Sequence, residues 1–513
     1  MKVAIPAFLQ KIFKALTFIY CASMFTLFLF YVENAYFNIT DTKYHCFLWL
    51  TIIYFLGCMF CGCFYLFFHS NTINLIKKFA LKLSITDWGM LMLTLSHVIT
   101  TLICEYPQYS FSGEWGRHMG LIFSVSICMM YFLVSRFLSH YEILLNLFLG
   151  SCFIIFILGL INALGFDPLH FYTDIKPSQR HLFLSTIGNA TFYADLLCLS
   201  LPLAVSLYLN AKQRLKKGLL TAWITLGFSS IIISNIDGAY LGVSAFMLYY
   251  FNRCCRSNKG ITDFLQICLI ALCSILLLHF LTYPFDSLVF EGISAWLMNS
   301  RLIWLFLIIT GLLIIAIKLY PKEIPEAAYK KIRYAVMLTL IIIACIIIFL
   351  ILYVTWINPS YPLKASVDYL RFSNTWGHNR GYLWQSLFNN YLTASNPLVW
   401  LFGKGLDCTR LIMAEITSTP VAAVYYDHAH SEYIQYLVTS GFVSLAVYLF
   451  VYGSLIVRMR HNKAQPYAAG LIAAFIAHGF AAVTGLNQPI TTPLLYLLFA
   501  FTEAMLRNRN TQT

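Results

Sequence analysis

Charge is what this sequence has least of. Asp, Glu, Lys and Arg supply only 11% of its 513 residues, where a typical soluble domain holds about 25%. A soluble chain of this length could not cover its surface with so few polar groups, so most of it must be solvated by lipid. A disulfide framework is missing too. The fifteen cysteines fall mostly inside apolar runs, Cys254 and Cys255 sit in a short basic stretch, and only Cys408 lies in the long polar segment. They read as small packing residues. No internal repeat, low-complexity linker or separate soluble end domain stands out. The net charge of +13 does not signal nucleic acid, because the basic residues form short clusters between apolar runs rather than a stripe.

What is abundant is hydrophobicity, at 60% of residues and a mean hydropathy of +0.73. Fourteen apolar runs follow one another: 13–32, 46–68, 86–104, 119–138, 142–164, 191–210, 218–235, 238–251, 263–283, 301–317, 334–355, 433–457, 466–484 and 490–506. Several reach the ~20 residues that cross a hydrocarbon core; the run at 238–251 is short. The first lacks a small-residue cleavage site and reads as an uncleaved helix. The fold expected is all-α, a polytopic bundle of about 12–14 spans with one large extracytoplasmic helical cap loop.

Lys and Arg orient the chain. With the N-terminus inside, 24 of the 34 basic residues fall inside and 10 outside. The inside set includes Lys77, Lys78, Lys82, Lys212, Arg253, Arg256, Lys330, Arg458 and Lys463. Both termini then face the cytoplasm. Residues 1–355 hold about eleven spans, 356–431 form the outer loop, and 432–513 hold the last three. A loop so long is uncommon unless it has structure and a job. Turn signals at Asn358-Pro359, Tyr361-Pro362 and Asn396-Pro397 alternate with runs such as Gly381–Tyr391, which suit short helices.

The most informative stretch is Tyr425 to Leu437, where that loop enters the next span. It holds Asp427, His428, His430, Ser431 and Glu432. Ionisable groups at a membrane boundary are costly to bury alone and are functional candidates by default. A His there can act as a general base at neutral pH, and the helix beginning near Ser431 presents free N–H groups to an anion. An ordinary polar lip explains the same residues, with Asp427 or Ser431 as an N-cap and the histidines in solvent. A metal is disfavoured: His428 and His430 at i, i+2 share a face only on a strand, and no third ligand follows at helical spacing. Arg117, Arg180, Arg301, Arg371 and Arg380 all fall at span mouths or in the loop. Guanidinium forks suit diphosphate, although a lone interfacial Arg is usually an anchor. The loop's Trp and Tyr residues suit sugar rings or an interfacial belt equally well.

On these residues the chain resembles the superfamily of O-antigen ligases and O-antigen polymerases, which also includes protein O-oligosaccharyltransferases. His430-Ser431, nine residues and Gly441 match its His-[Asn/Ser/Gln]-x9-Gly signature. Ser185 to Phe192, with Gly188-Asn189, is similar to its Thr-Phe-Gly-Asn-x-Asn-x-Phe segment. The Gly113–Gly120 loop carries Arg117. Asn379-Arg380-Gly381-Tyr382-Leu383-Trp384, then Asn396-Pro397-Leu398 and Gly403-Lys404-Gly405, resemble its Arg-x3-Trp and Pro-Leu-x-Gly-x-Gly elements. The matches run in order over about residues 105–445. One departure is Asp237, which stands where many members have an Arg for pyrophosphate; that role is left between Arg180 and Arg117.

The resemblance implies a bacterial cytoplasmic-membrane enzyme with its site outside. It would transfer or polymerise a glycan from an undecaprenyl-diphosphate-linked donor onto an acceptor hydroxyl (of a sugar, a lipid A core, or a protein Ser or Thr), with inversion. His430 would be the general base, with His428 and Asp427 in support. Arg380 and Arg117 would hold diphosphate, Arg180 less directly, and Asn189 would contact substrate. The donor carries its own leaving group, so no nucleotide, metal or other cofactor is required. A flippase for lipid-linked sugars is the alternative from another class, though such transporters often show internal repeats. A membrane O-acyltransferase also uses an intramembrane His, but its polar signature faces the cytoplasm.

Overall fold

The computed structural model describes residues 7–68, 83–114, 116–284, 289–320, 322–418, 426–461 and 466–510. The basic residues Lys77, Lys78, Lys82 and Lys463, and Tyr425, lie outside these segments. Every one of the fourteen apolar runs is helical. The helices are α1 (Ala7–Phe25), α2 (Leu27–Phe30), α3 (Ile39–Phe68), α4 (Ile85–Ile103), α5 (Pro107–Ser112), α6 (Leu121–Phe137) and α7 (Tyr141–Ala163). They continue with α8 (Ala190–Asn210), α9 (Arg214–Ser234), α10 (Asp237–Cys254), α11 (Asn258–Thr282), α12 (Gly292–Asn299), α13 (Leu302–Leu319) and α14 (Glu326–Leu352). The long polar segment contributes α15 (Trp376–Leu392), α16 (Pro397–Phe402) and α17 (Thr409–Thr417), followed by α18 (Glu432–Arg460), α19 (Pro466–Ala481) and α20 (Thr492–Asn510).

Among the described residues, nine helical spans are long and apolar enough to cross a membrane, and α6 and α19 are shorter apolar helices. The fold is thus the all-α polytopic bundle the sequence predicts. The short run at 238–251 is extended at both ends into the 18-residue α10. One small departure is a two-residue antiparallel pair, β1 (Phe183–Leu184) with β2 (Gly188–Asn189), which turns the chain into α8. All fifteen cysteines are free.

Helix α8 is the axis of the bundle, with 94% of its apolar window buried. Small residues let backbones close on it, as in other membrane helix pairs. Gly470 of α19 lies against Leu203, where a Cβ would come within 3.0 Å of the Leu203 Cα, and Gly242 of α10 lies against the Ala477 carbonyl. At the far end, α14 has none of its apolar window buried. Between α14 and α18 the long polar segment builds its own core from Leu383, Leu387, Tyr391, Ile412 and Met413, joined by Ala429 and Val438. That joint fastens the segment to the head of α18.

The other end of α18 is locked by ion pairs. Asp87 accepts from Arg136 Nη1 and Nη2 at 3.2 and 3.1 Å, from Tyr131 at 3.1 Å, and from Arg507. Glu503 accepts from Arg458 at 2.6 and 3.3 Å and pairs with Arg507 Nε at 3.2 Å. Both carboxylates are fully buried and both are compensated.

Candidate active site

Helix α18 begins at Ser431, whose Oγ accepts the Ile434 N–H at 3.5 Å. The three residues before it are gripped by side chains. His428 is buried, and its Nδ1 accepts the His430 backbone N–H at 2.9 Å. The ring proton must then sit on Nε2, which donates to Asn487 Oδ1 at 2.6 Å. Ala429 gives its N–H to Gln435 Oε1 (2.9 Å) and receives Trp384 Nε1–H on its carbonyl (2.7 Å). Thr409 fixes the same Gln435 oxygen at 2.9 Å. This grip holds His430 in the left-handed region, at φ 50°, a conformation that costs a non-glycine residue about 1–2 kcal/mol.

Two guanidinium groups act on the His430 ring. Burial first, then Arg380 and Arg117, push its pKa down to about 4, with Asp427 partly opposing. The ring is therefore neutral at physiological pH. His428 is held well below its ordinary value, by burial first and then by Arg117. Both of its nitrogens are engaged, so it positions the lip rather than accepting a proton.

Arg117 reaches the lip through Asp427, whose Oδ2 accepts from its Nε and Nη2 at 3.1 and 2.7 Å. Its loop is folded around Asp407, whose Oδ2 accepts the backbone N–H groups of Glu114 (2.9 Å) and Met119 (3.0 Å). Burial raises the Asp407 pKa to about 7, with Arg117 opposing. Gly113 is required there: at φ 85° a Cβ would lie 2.5 Å from the His118 backbone. Arg380 follows three left-handed residues, Gly377, His378 and Asn379, that break the start of α15. Burial lowers its pKa and Asp237 partly offsets this. Asp237, the departure from the family pattern, is thus the carboxylate acting on Arg380.

The glycine positions have a packing cause. Gly441 interrupts α18 at φ 79°, and a Cβ on it would lie 2.3 Å from the Leu401 backbone. A Cβ on Gly403 would lie 2.3 Å from Thr439. Across this contact Lys404 and Gly405 donate to the Val438 and Thr439 carbonyls at 3.1 and 2.9 Å. The two glycine elements are the halves of one backbone joint.

Of the residues singled out from sequence, His428, His430, Asp427, Arg117 and Arg380 come together. Arg180 does not join them in any contact among the described residues; it is exposed and lies over the Tyr172 ring at 5.6 Å. Asn189 caps α8, its side chain accepting the Thr191 N–H at 2.8 Å. Sequence reading gave no role to Gln435, Asn487 and Asp407, and it took Trp384 as part of the Arg-x3-Trp element rather than as a donor to the lip. Gln435 stands one helical turn after Ser431, a spacing that could have found it; Asn487 comes from a distant connection with no local signal.

Residues 287–449 match the family model described as O-antigen ligase. Over this segment the chain is similar to the O-antigen ligase family. The matched stretch is less than half of the chain, and it contains Arg380, the two glycine elements, Asp427, His428 and His430. Arg117, Asn189 and Asp237 lie before it. No curated protein matches the chain. The match supports O-antigen ligase-type glycan transfer at the level of the family, and the long apolar helices fit a multi-pass membrane protein.

Proposed function

We propose that this protein transfers a glycan from an undecaprenyl-diphosphate-linked donor to an acceptor hydroxyl on the outer side of the bacterial cytoplasmic membrane. Residues 356–431 cap the site, and both termini are cytoplasmic. The observation that carries the reading is His430, a neutral ring held in a strained conformation beside two guanidinium groups. In the reaction the acceptor oxygen bonds to the anomeric carbon, with inversion. The bond from that carbon to the diphosphate oxygen breaks, and the acceptor proton passes to His430. Arg117 and Arg380 take the charge of the departing diphosphate. The diphosphate also cancels the positive charge that holds the His430 pKa down, so the donor itself makes the base stronger. His428, Gln435 and Trp384 are positioning residues for the lip.

An apolar cavity of about 380 Å³ between α9, α10, α11 and α13, walled by Ile232, Val243, Met247 and Phe306 among others, supports a polyprenyl tail lying between spans. Tyr240, also on its wall, stands one turn beyond Asp237, the carboxylate that acts on Arg380. The test is to give purified protein a lipid-diphosphate oligosaccharide alone and then with added acceptors. Self-elongation identifies a polymerase, and reaction only with a second acceptor identifies a ligase or a protein transferase. No transfer under any condition, with the donor bound, would sink the proposal.

A further inference from the structure

A second cluster of coordinating side chains stands beside the Arg117 loop and has no part in the proton transfer proposed above. Asp41 and His45 are four residues apart in the first turns of α3, so one helical face carries both. His118 meets them from the loop, in a left-handed conformation at φ 56°. Tyr44 stacks on the His118 ring at 4.5 Å and 16°, which fixes the ring plane. His118 Nε2 lies 2.6 Å from Asp41 Oδ1, and His45 Nε2 lies 3.5 Å from the same oxygen. One donor atom from each residue lies within 4.8 Å of the other two.

We propose that Asp41, His45 and His118 form a three-ligand site for a divalent transition ion of the zinc type. Zinc held tetrahedrally at about 2.0–2.1 Å from nitrogen and oxygen separates its ligand atoms by about 3.3 Å. The Asp41–His45 edge, at 3.5 Å, is of that size, the Asp41–His118 edge must open by less than 1 Å or so, and the His45–His118 edge lies within 4.8 Å. Two imidazoles and a carboxylate favour zinc, cobalt, nickel or copper over magnesium and calcium, which take oxygen ligands. The His45 side chain is 52% exposed, so water reaches the fourth position. The loop is already fastened on one side by Asp407 and by the Arg410–Glu114 pair at 3.1 Å. A metal would fasten its other side to α3, fixing the ground from which Arg117 reaches the lip.

The experiment uses the full chain without a polyhistidine tag, in detergent, stripped with chelator and titrated with cobalt or zinc alone. Expected are one zinc per chain, the visible bands of four-coordinate cobalt that zinc abolishes, and a melting temperature raised by zinc but not by magnesium. His45→Ala leaves the Asp41–His118 hydrogen bond in place. It should weaken zinc by at least the 10–100-fold or so that loss of an outer-shell partner costs. Equal binding by wild type and His45→Ala, or a wild-type protein without the cobalt bands, would overturn the site and leave a hydrogen-bonded Asp–His pair.

Discussion

The two ends of α18 carry the same chemistry in opposite states. At its C-terminal end, Arg136, Arg458 and Arg507 enclose Asp87 and Glu503, and both buried carboxylates are compensated. At its N-terminal end, two guanidinium groups act on a neutral imidazole, and the one ion pair among them within the described residues, Arg117–Asp427, has a carboxylate 44% exposed. A closed ion cluster holds helices together and leaves little for a ligand. An open one has cationic charge to offer an anion. The difference separates structural arginines from candidate substrate-holding ones better than residue type does.

Substitutions at the two ends should therefore fail in different ways. His430→Ala is expected to lower glycan transfer by about 10²–10⁴-fold, the usual contribution of a general base, with the melting temperature kept. Near-normal transfer would remove the base assignment. Arg136→Ala should do the reverse, since a buried carboxylate stripped of a partner costs about 3–5 kcal/mol; thermal melting in detergent reads it. Arg380→Ala should reduce transfer by about 10²–10³-fold with little change in melting, and equal losses of stability at Arg380 and Arg136 would erase the contrast between the ends. Gly441→Ala should destabilise by about 1–3 kcal/mol through its positive φ and lower activity in parallel.

The smallest effect is on pH. His430 must be neutral to accept a proton, so activity falls as pH drops through its pKa. That point lies at about 4 in the free chain and rises when diphosphate offsets Arg117 and Arg380. The acid limb of kcat should accordingly lie at higher pH than that of kcat/KM. Coincident limbs would separate His430 from the arginines.

Hydropathy alone located all fourteen helical runs, because lipid leaves the backbone no other way to satisfy its polar groups. The motif residues His430, Gly441, Gly403 and Gly405 were legible as a pattern, but their cause was not. Gly441 and Gly403 are needed because two backbones 36 residues or more apart in sequence touch, which no local spacing reveals, and Gly405 has the Cys408 and Cys104 sulfurs beside it. Asn487 and Asp407 were invisible for the same reason: each acts on a segment far away in the chain. Arg180 was singled out by residue type and by its place between spans; it is exposed and lies over the Tyr172 ring, a placement that its local sequence does not reveal.

Helix α14 is tied to the rest of the chain in its first half, where the Tyr329 hydroxyl donates to Asn258 Oδ1 at 2.7 Å, Arg333 donates to the Cys255 carbonyl and Asn252 Nδ2 donates to Met337 Sδ at 3.6 Å, and none of its apolar window is buried. Its 27 residues span about 40 Å, some 10 Å more than a typical hydrocarbon core of about 30 Å. The helix must tilt, or carry an end into the headgroups, by an amount that depends on the host membrane. Residues 356–431 hang from its far end. Bilayer thickness therefore enters the geometry of this protein as a variable, and acyl-chain length becomes a handle on the pull that α14 exerts on the segment carrying Arg380 and His430.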